Sequence, residues 1–170
     1  MSETSAPRAF QDDYPDDLSH CYGCGRLNEH GHRLKSYWEG EETVATFRPR
    51  PYHTAIPGYV YGGLLASLID CHGTGSASAA AYKAAGREPG TLPPLRFLTA
   101  ALEVEYLKPT PLGVDLVLRG EIVEVKPRKV VVAIRILAEG VETVRGKVIA
   151  VLAPEALIAK LMQRPSARDG

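Results

Sequence analysis

One acidic side chain, Asp70, interrupts a stretch of small and apolar residues that runs from about Tyr61 to Ala84. If this stretch is a helix, the residues three and four positions from Asp70 are small or carry a hydroxyl: Ala66, Ser67, Gly73 and Thr74. Such a strip leaves room for a ligand beside the carboxylate, which makes Asp70 a candidate functional group. The alternative is a structural aspartate that is hydrogen-bonded by Ser67, Thr74 or a loop amide.

Two glycines, Gly62 and Gly63, stand where this helix would begin. The first backbone N–H groups of a helix have no partner within it, and glycine lets a ligand approach them closely. Because the positive end of the helix dipole favours negative charge, an oxygen bound here would be stabilised as an oxyanion. Asp70 follows Gly63 by seven residues, roughly 10 Å along the helix axis, which suits an extended acyl group lying between them.

The elements that would position these residues are one long helix and six strands. Alternation of apolar and acidic residues, as in Leu102, Glu103 and Val104, is typical of a half-buried strand. The predicted strands cover residues 33–38, 42–48, 99–107, 114–125, 129–138 and 141–152, with the helix between the second and the third. Since the connections between the last four strands are short, they form an antiparallel meander. The predicted fold class is α+β, a small antiparallel sheet wrapped around one apolar helix.

The composition is that of one globular domain. The chain has 170 residues with 20 basic and 20 acidic side chains, so its formal net charge is zero. A nucleic-acid-binding protein normally carries a basic excess, and no apolar run approaches the roughly 20 residues of a membrane-spanning helix. We therefore expect neither a nucleic-acid partner nor a membrane span.

The two ends and the cysteines complete the organisation. Residues 1–19 lack apolar periodicity and are rich in acids, so we expect a flexible N-terminal tail, a domain over residues 20–163 and a flexible C-terminal tail over residues 164–170. No apolar segment typical of a secretory signal stands at the N-terminus. Three cysteines do not make a disulfide framework and indicate a reducing compartment. We therefore expect a cytoplasmic protein.

The predicted helix start resembles that of a known family. The segment ProGlyTyrValTyrGlyGlyLeuLeuAlaSerLeuIleAsp, at residues 57–70, is similar to the hotdog-fold acyl-CoA thioesterases, in particular their phenylacetyl-CoA-type (PaaI-like) and Akt-modulator-like branches. In that family an acidic residue follows the second glycine by seven positions, as Asp70 follows Gly63. A second segment, residues 98–113, resembles the family's third strand and the following turn. The likeness spans about residues 20–153 and implies a hotdog fold, an antiparallel sheet wrapped around one long central helix.

The resemblance also implies an activity. It is the hydrolysis of an acyl-CoA, or a similar acyl thioester, to the free acid and CoA. Asp70 would be the general base that activates water, or the nucleophile, and the Gly63 amide would hold the carbonyl oxygen. Thr99 would face the carboxylate from the partner subunit, or it could be an ordinary strand threonine. The implied assembly is a homodimer, or a dimer of dimers (a homotetramer), with active sites at the subunit interface.

One residue departs from the family pattern. Relatives usually have histidine directly before the glycine pair, where this chain has Tyr61. A tyrosine hydroxyl donates a hydrogen bond but titrates near 10, so it cannot replace an imidazole at neutral pH. This difference keeps open a non-catalytic acyl-CoA-binding or lipid-binding protein on the same fold. Hydratase chemistry is disfavoured, because no Asp and His in the sequence have a hydratase-like spacing.

Further residues are predicted to bind the substrate. Those near the helix start and along its hydroxyl-lined strip are Tyr61, Gly62, His53, Ser67 and Thr74. The phosphates of CoA need cations, and one predicted hairpin turn supplies three of them: Lys126, Arg128 and Lys129. An ordinary solvated turn would look the same. No glycine-rich nucleotide loop is present, so CoA is expected as a substrate and no cofactor is predicted.

Two cysteines and two histidines near the N-terminus raise the question of a metal. Cys21 and Cys24, with His30 and His32, could supply the four ligands of a tetrahedral zinc site. The histidines lie closer to the cysteines than in a zinc finger, however, and hotdog relatives carry a similar CysxGlyCysGlyxxAsn block without metal. We therefore predict a packed glycine turn and no metal, with Cys71 as a small buried residue of the helix.

Overall fold

A computed structural model describes residues 6–163, and six strands of this range form one antiparallel sheet. The strands are β1 (Ser36–Glu39), β2 (Glu42–Phe47), β3 (Phe97–Tyr106), β4 (Leu116–Lys126), β5 (Lys129–Ala138) and β6 (Val141–Leu152). Their order across the sheet is β1-β2-β4-β5-β6-β3, so β1 and β3 form its two edges. The six predicted strands are confirmed, although β1 begins at Ser36 rather than at residue 33.

One long helix, α1 (Gly62–Ala84), crosses the sheet and contacts β3, β4, β5 and β6. It lies close to the sheet because its residues are small: a Cβ atom at Gly73 would overlap the side chain of Val148 on β6. The helix ends before Gly86, whose φ of 63° is in the left-handed region that favours glycine. The predicted hotdog arrangement, a sheet wrapped around one central helix, is confirmed.

The core fills the space between α1 and the sheet. Its largest fully buried apolar side chains come from the helix, the sheet and the loop before β1: Leu34, Leu68, Ile69, Phe97, Leu116, Leu118, Ile134 and Ile136. Burying one such side chain contributes about 2 kcal/mol. Because every residue from 71 to 80 is buried, the helix has no solvent-facing polar stripe over this part. Packing against the sheet therefore holds the helix, and with it Asp70, in place.

The edge strand β3 presents most of its side chains to solvent. Apart from Phe97 and Val104, all of its residues are exposed. Its exposed apolar residues include Leu98, Leu102 and Tyr106. Within the described chain, β3 pairs only with β6. A long exposed edge with apolar side chains is a template for pairing with another strand.

The segment before β1 is more ordered than predicted. It forms two short 3-10 helices, Phe10–Asp13 and Asp16–Leu18, and buries Ala9, Gln11 and Ser19. The Gln11 side chain can be buried because its Oε1 atom accepts a hydrogen bond of 2.9 Å from the backbone N–H of Ser36. The predicted tail through residue 19 is therefore wrong for residues 9–19. Residues 1–5 of that tail, and the predicted tail over residues 164–170, lie outside the described range.

A second helix, α2 (Glu155–Met162), follows β6 and is absent from the sequence-based prediction. It starts after Pro154, buries Ile158 and contacts the 3-10 helix Asp16–Leu18. Among the helices of residues 6–163, none combines the length and the apolar character needed to cross a membrane.

Candidate active site

Asp70 lies where α1 meets the edge strand β3. Its side chain is partly buried, and Oδ1 accepts a hydrogen bond from Thr99 Oγ1. A β-bulge between Thr99 and Ala101 interrupts the pairing of β3 with β6, and bulges re-aim side chains. The hydrogen bond joins Thr99 and Asp70 within one chain, whereas the resemblance implies that Thr99 faces the carboxylate from the partner subunit. The bond holds one carboxylate oxygen, and no described residue donates to the other.

The two other hydroxyls of the predicted strip do not reach this carboxylate. Thr74 is buried, and its Oγ1 donates to the backbone carbonyls of Asp70 at 3.2 Å and Cys71 at 3.3 Å. The Thr74 hydroxyl therefore bonds to the backbone of its own helix, which contradicts the prediction that Thr74 contacts substrate. Ser67 is partly buried and lies close to the loop at Gly23, where a Cβ atom would be 3.6 Å from Ser67 Oγ. Neither Ser67 nor Thr74 therefore donates to the Asp70 carboxylate, as each would if Asp70 were a purely structural residue held by one of these hydroxyls.

The start of α1 offers two backbone N–H groups. Tyr61 is the N-cap residue, and its carbonyl accepts bonds from the amides of Leu64 at 3.1 Å and Leu65 at 3.4 Å. No side chain caps the helix, and within residues 6–163 the amides of Gly62 and Gly63 have no hydrogen-bond partner. Gly63 is also exposed. Two such amides at a helix start are free to donate to an oxygen atom that carries negative charge.

Two tyrosines flank this glycine pair. The Tyr61 ring folds over Gly63, where a Cβ atom would lie 2.5 Å from ring atoms and from the hydroxyl of Tyr61. From β3, the Tyr106 hydroxyl donates a 2.7 Å hydrogen bond to the carbonyl of Gly62. Burial, and to a lesser degree the neighbouring Tyr61, raises the pKa of Tyr106, so it remains a hydrogen-bond donor at neutral pH. The sequence predicts Tyr106 only as a strand residue, because its hydrogen bond with Gly62 joins residues 44 positions apart.

His53 supports the segment that leads into α1. Its carbonyl accepts the Tyr61 amide at 2.9 Å, and its Nδ1 accepts the Arg50 amide at 2.9 Å. Its ring packs against His32, Phe47 and Tyr52. Partial burial, with a smaller contribution from Arg50, lowers the pKa of His53. These contacts place the imidazole in an aromatic cluster that fastens the loop, rather than beside Asp70.

His72, two residues after Asp70, points into the core. Its Nδ1 is 2.9 Å from Ser36 Oγ, and its Nε2 is 3.1 Å from Thr43 Oγ1. Complete burial lowers the pKa of His72 to about 4, so the ring is neutral at physiological pH. His72 therefore belongs to a buried polar network and not to the candidate site.

The predicted phosphate-binding cations lie at the turn between β4 and β5. Glu124 forms ion pairs with Lys126 at 2.9 Å and with Lys129 at 3.1 Å. Arg128 is exposed, and no described carboxylate forms an ion pair with it. In the sheet, Lys129 pairs with Val151, which pairs with Leu98 beside Thr99. Two strand spacings, about 10 Å, therefore separate this turn from the strand that carries Thr99.

The cysteines and histidines near the N-terminus do not converge as the zinc alternative required. His30 is exposed beside Glu29, and the His32 ring contacts the rings of Tyr22 and Phe47 edge-on. A third sulfur comes instead from Cys71, whose Sγ is 3.7 Å from that of Cys21. Sequence spacing could not bring Cys71 to this cluster, because the contact joins residues fifty positions apart.

Comparison with known proteins decides the family. The sequence matches the family model of the thioesterase superfamily over residues 57–145, more than half of the 170-residue chain. The chain belongs to the thioesterase superfamily. The matched range contains Gly62, Gly63, Asp70 and Thr99. Membership of the thioesterase superfamily supports hydrolysis of an acyl thioester as the general activity.

Individual relatives agree with this assignment. A thioesterase superfamily protein of known structure from Shewanella loihica is 55% identical, covers 82% of this chain and 98% of its own, and superposes with a TM-score of 0.63. The E. coli PaaI protein from the phenylacetic acid degradation operon is 14% identical over 72% of this chain and 81% of its own, with a TM-score of 0.59, and shares the fold. Acyl-coenzyme A thioesterase THEM4 from Xenopus laevis is 31% identical over 87 residues, 51% of this chain. The chain covers 33% of the length of that curated relative.

Proposed function

We propose that this member of the thioesterase superfamily hydrolyses an acyl-CoA to the free acid and CoA, with Asp70 as general base or nucleophile. The observation that carries the proposal is the hydrogen bond from Thr99 Oγ1 to the Asp70 carboxylate. It fixes the carboxylate beside the exposed edge strand. The same helix begins with the unpartnered amides of Gly62 and Gly63.

In the general-base route, Asp70 accepts a proton from water as the water oxygen bonds to the thioester carbonyl carbon. The carbonyl oxygen becomes an oxyanion, which a Gly63 N–H stabilises together with the helix dipole. The C–S bond then breaks, and the proton held by Asp70 passes to the CoA sulfur. Throughout, Thr99 occupies one carboxylate oxygen and leaves the other for the water. In the nucleophile route, the Asp70 carboxylate bonds to the carbonyl carbon and the C–S bond breaks, so that CoA leaves as its thiolate. Water then cleaves the mixed anhydride to the free acid and the Asp70 carboxylate, and one proton of that water passes to the CoA sulfur.

The separation of Asp70 and Gly63 favours a site shared by two subunits. The two residues are seven positions apart on α1, roughly 10 Å along its axis. Groups that act on one carbonyl must each come within about 3 Å of the atoms they bind, so an acyl group that extends between the two residues of one chain, as the spacing first suggests, would not bring its carbonyl to both. We therefore propose a homodimer paired through β3, in which Asp70 and the partner subunit's Gly63 act on one thioester. The exposed Leu98 and Leu102 on β3 support this pairing, and a dimer of dimers is a further prediction.

The turn between β4 and β5 is the proposed site for the CoA phosphates. Glu124 already neutralises part of the charge of Lys126 and Lys129, so a phosphate would compete with it for both lysines. Arg128 is exposed and offers a planar donor group that suits phosphate. We therefore expect Arg128 to contribute more to CoA binding than either lysine.

Thiol release from short-chain, medium-chain, long-chain and aryl acyl-CoAs tests the proposed reaction. We expect turnover of at least one class, with one equivalent of free acid formed for each CoA released. No thiol release from any member of the panel, by a folded and dimeric protein, would contradict the enzyme assignment.

One observation favours a second candidate, a non-catalytic acyl-CoA-binding protein. Tyr61 stands where the family usually has histidine, and its ring lies over the position that a Gly63 side chain would occupy. This candidate predicts saturable binding of acyl-CoA in isothermal titration calorimetry without thiol release. Binding together with turnover would exclude it.

A further inference from the structure

The three cysteines of the chain form one compact cluster. The sulfur atoms of Cys21, Cys24 and Cys71 all lie within 4.8 Å of one another. Cys24 and Cys71 are buried, and Cys21 is partly buried. The cluster joins the N-terminal loop to α1 at the position directly after Asp70. It plays no part in the proposed hydrolysis, and its interpretation does not rest on that function.

The loop around Cys21 and Cys24 is shaped to bring sulfur atoms together. The Gly25 amide donates to the carbonyl of Cys21 at 2.7 Å, and a Cβ atom at Gly25 would lie 2.5 Å from the Cys21 nitrogen. A Cβ atom at Gly23 would overlap Cys71 Sγ. The loop therefore leaves no room for side chains at Gly23 and Gly25, and the sulfur atoms approach one another.

The spacing of the sulfurs fits a single metal ion. Zinc–sulfur bonds of about 2.3 Å in tetrahedral geometry place neighbouring sulfurs about 3.8 Å apart. The Cys21 and Cys71 sulfurs are 3.7 Å apart. The Cys24 sulfur lies within 4.8 Å of both, close to the spacing that one shared ion requires.

A partly buried cation, Arg96, lies beside the cluster and favours a negatively charged occupant. The Arg96 guanidinium lies next to Cys24 and stacks on the Tyr14 ring at 4.5 Å. Its Nη1 atom is buried without a hydrogen-bond partner, and no carboxylate of residues 6–163 forms an ion pair with it. A guanidinium nitrogen that is buried without a hydrogen-bond acceptor or a counter-charge is costly. A metal ion bound by the neighbouring cysteines would convert them to thiolates and so supply that counter-charge.

We propose that Cys21, Cys24 and Cys71 bind one zinc ion as thiolates, with Arg96 as the balancing charge. Three thiolates and Zn²⁺ carry one net negative charge, which one guanidinium neutralises. A monovalent copper ion in the same site would leave two negative charges against one cation, so zinc is the better match. Binding releases three thiol protons to solvent and requires no oxidant or reductant.

The role of such a site would be structural. The ion would fasten the loop over residues 21–25 to α1 and so stabilise the helix that carries Asp70. The same loop meets Ser67 on that helix through Gly23. The unfolded chain does not hold the three cysteines together, so it binds zinc weakly. The free energy of zinc binding therefore adds to the stability of the folded chain.

Metal analysis of the full chain tests the proposal. We expect about one zinc per chain in protein purified without added metal, and again after chelation and zinc addition. Zinc should protect all three thiols from a thiol reagent, and cobalt substitution should produce thiolate-to-cobalt charge-transfer absorption. Cys71→Ser should raise the zinc dissociation constant at least about a hundredfold. The matched control is His30→Ala, an exposed histidine of the same loop region, which should bind zinc as the unchanged protein does.

Three results would overturn the proposal. One is sub-stoichiometric zinc in the unchanged protein together with thiols that react freely in its presence. Another is unchanged zinc affinity in Cys71→Ser. The third is a Cys21–Cys71 disulfide, seen by mass spectrometry as the loss of two hydrogens, in freshly purified protein that holds no zinc. The first and third need no variant, so a Cys71→Ser chain that fails to fold leaves the test decisive.

Discussion

The Thr99 hydroxyl donates a hydrogen bond to the Asp70 carboxylate of the same chain, so the edge strand and the central helix meet at one acidic side chain. The outer edge of β3 is unpaired within the described chain, and a bulge sits directly after Thr99. A partner strand that pairs with β3 would therefore lie next to the residue proposed to activate water. In this arrangement, dimer formation and the geometry of the candidate active site depend on the same strand.

Replacement of Thr99 by valine tests the hydrogen bond itself. Valine keeps the shape but removes the donor, so Asp70 loses one constraint while the core is untouched. We expect kcat to fall about tenfold, or about 1.4 kcal/mol, with little change in melting temperature. Thr46→Val, at an exposed position of β2, is the matched control and should leave kcat unchanged. Equal rates for Thr99→Val and the unchanged protein would mean that this bond has no role in turnover.

Gly63 is expected to tolerate no side chain because Tyr61 covers it. In Gly63→Ala the new methyl would meet the Tyr61 ring at 2.5 Å, so the ring or the helix start must shift. We expect kcat to fall about 10- to 100-fold, since displaced oxyanion donors have effects of this order. If the clash is the cause, the double variant Gly63→Ala/Tyr61→Ala should lose less than the product of the two single losses. If the loss in the double variant equals the product of the two single losses, contact between the new methyl group and Tyr61 is not the cause.

Mixed dimers test whether two chains share one site. A chain with Asp70→Asn and a chain with Gly63→Val are each expected to be inactive alone. If a site combines Asp70 with the partner subunit's Gly63, each mixed dimer regains one intact site. An equal mixture should then recover about a quarter of the original activity, because half of the dimers are mixed and each has one of two sites. Co-expression with two affinity tags isolates the mixed dimers, and the doubly tagged fraction should show about half of the original activity. No recovery in doubly tagged dimers would place both groups in a single-chain site.

Replacement of Arg128 tests whether the turn between β4 and β5 binds the phosphates of CoA. Arg128→Ala should raise KM for acyl-CoA about five- to tenfold, since a charge-assisted contact with phosphate is lost. The KM for the corresponding N-acetylcysteamine thioester, which lacks the phosphates, should not change. Arg50→Ala, another exposed arginine, serves as the control for a general charge effect. A rise in KM for both substrates would argue against phosphate recognition by Arg128.

Much of the fold could be predicted because its signals are local. The strands at 129–138 and 141–152 were predicted at the bounds that the structure has, since each shows a period of two and a tight turn separates them. Asp70 and Gly63 stood out by residue type and spacing in one helix. The N-terminal segment was misjudged because buried Gln11 is polar, and its burial depends on a hydrogen bond with Ser36, 25 residues away.

The finer contacts of the site could not be predicted for the same physical reason. The bond between Thr99 and Asp70, the bond between Tyr106 and Gly62, and the approach of Cys71 to Cys21 all join residues distant in sequence. Residue types alone do not specify which hydroxyl reaches a carboxylate. The bulge at Thr99 arises from the register of β3 with β6, which no single segment encodes.

The kcat of Asp70→Asn tests the central claim most directly. Asparagine has nearly the same shape, so folding, dimerisation and acyl-CoA binding should persist, while the group can neither accept the proton nor attack the thioester. We predict that kcat falls about a thousandfold in a thiol-release assay with the best acyl-CoA of the panel. Asp115→Asn, at an exposed position, is the matched control and should keep full activity. A kcat for folded, dimeric Asp70→Asn within about twofold of the unchanged protein would contradict the assignment of Asp70 as the catalytic group.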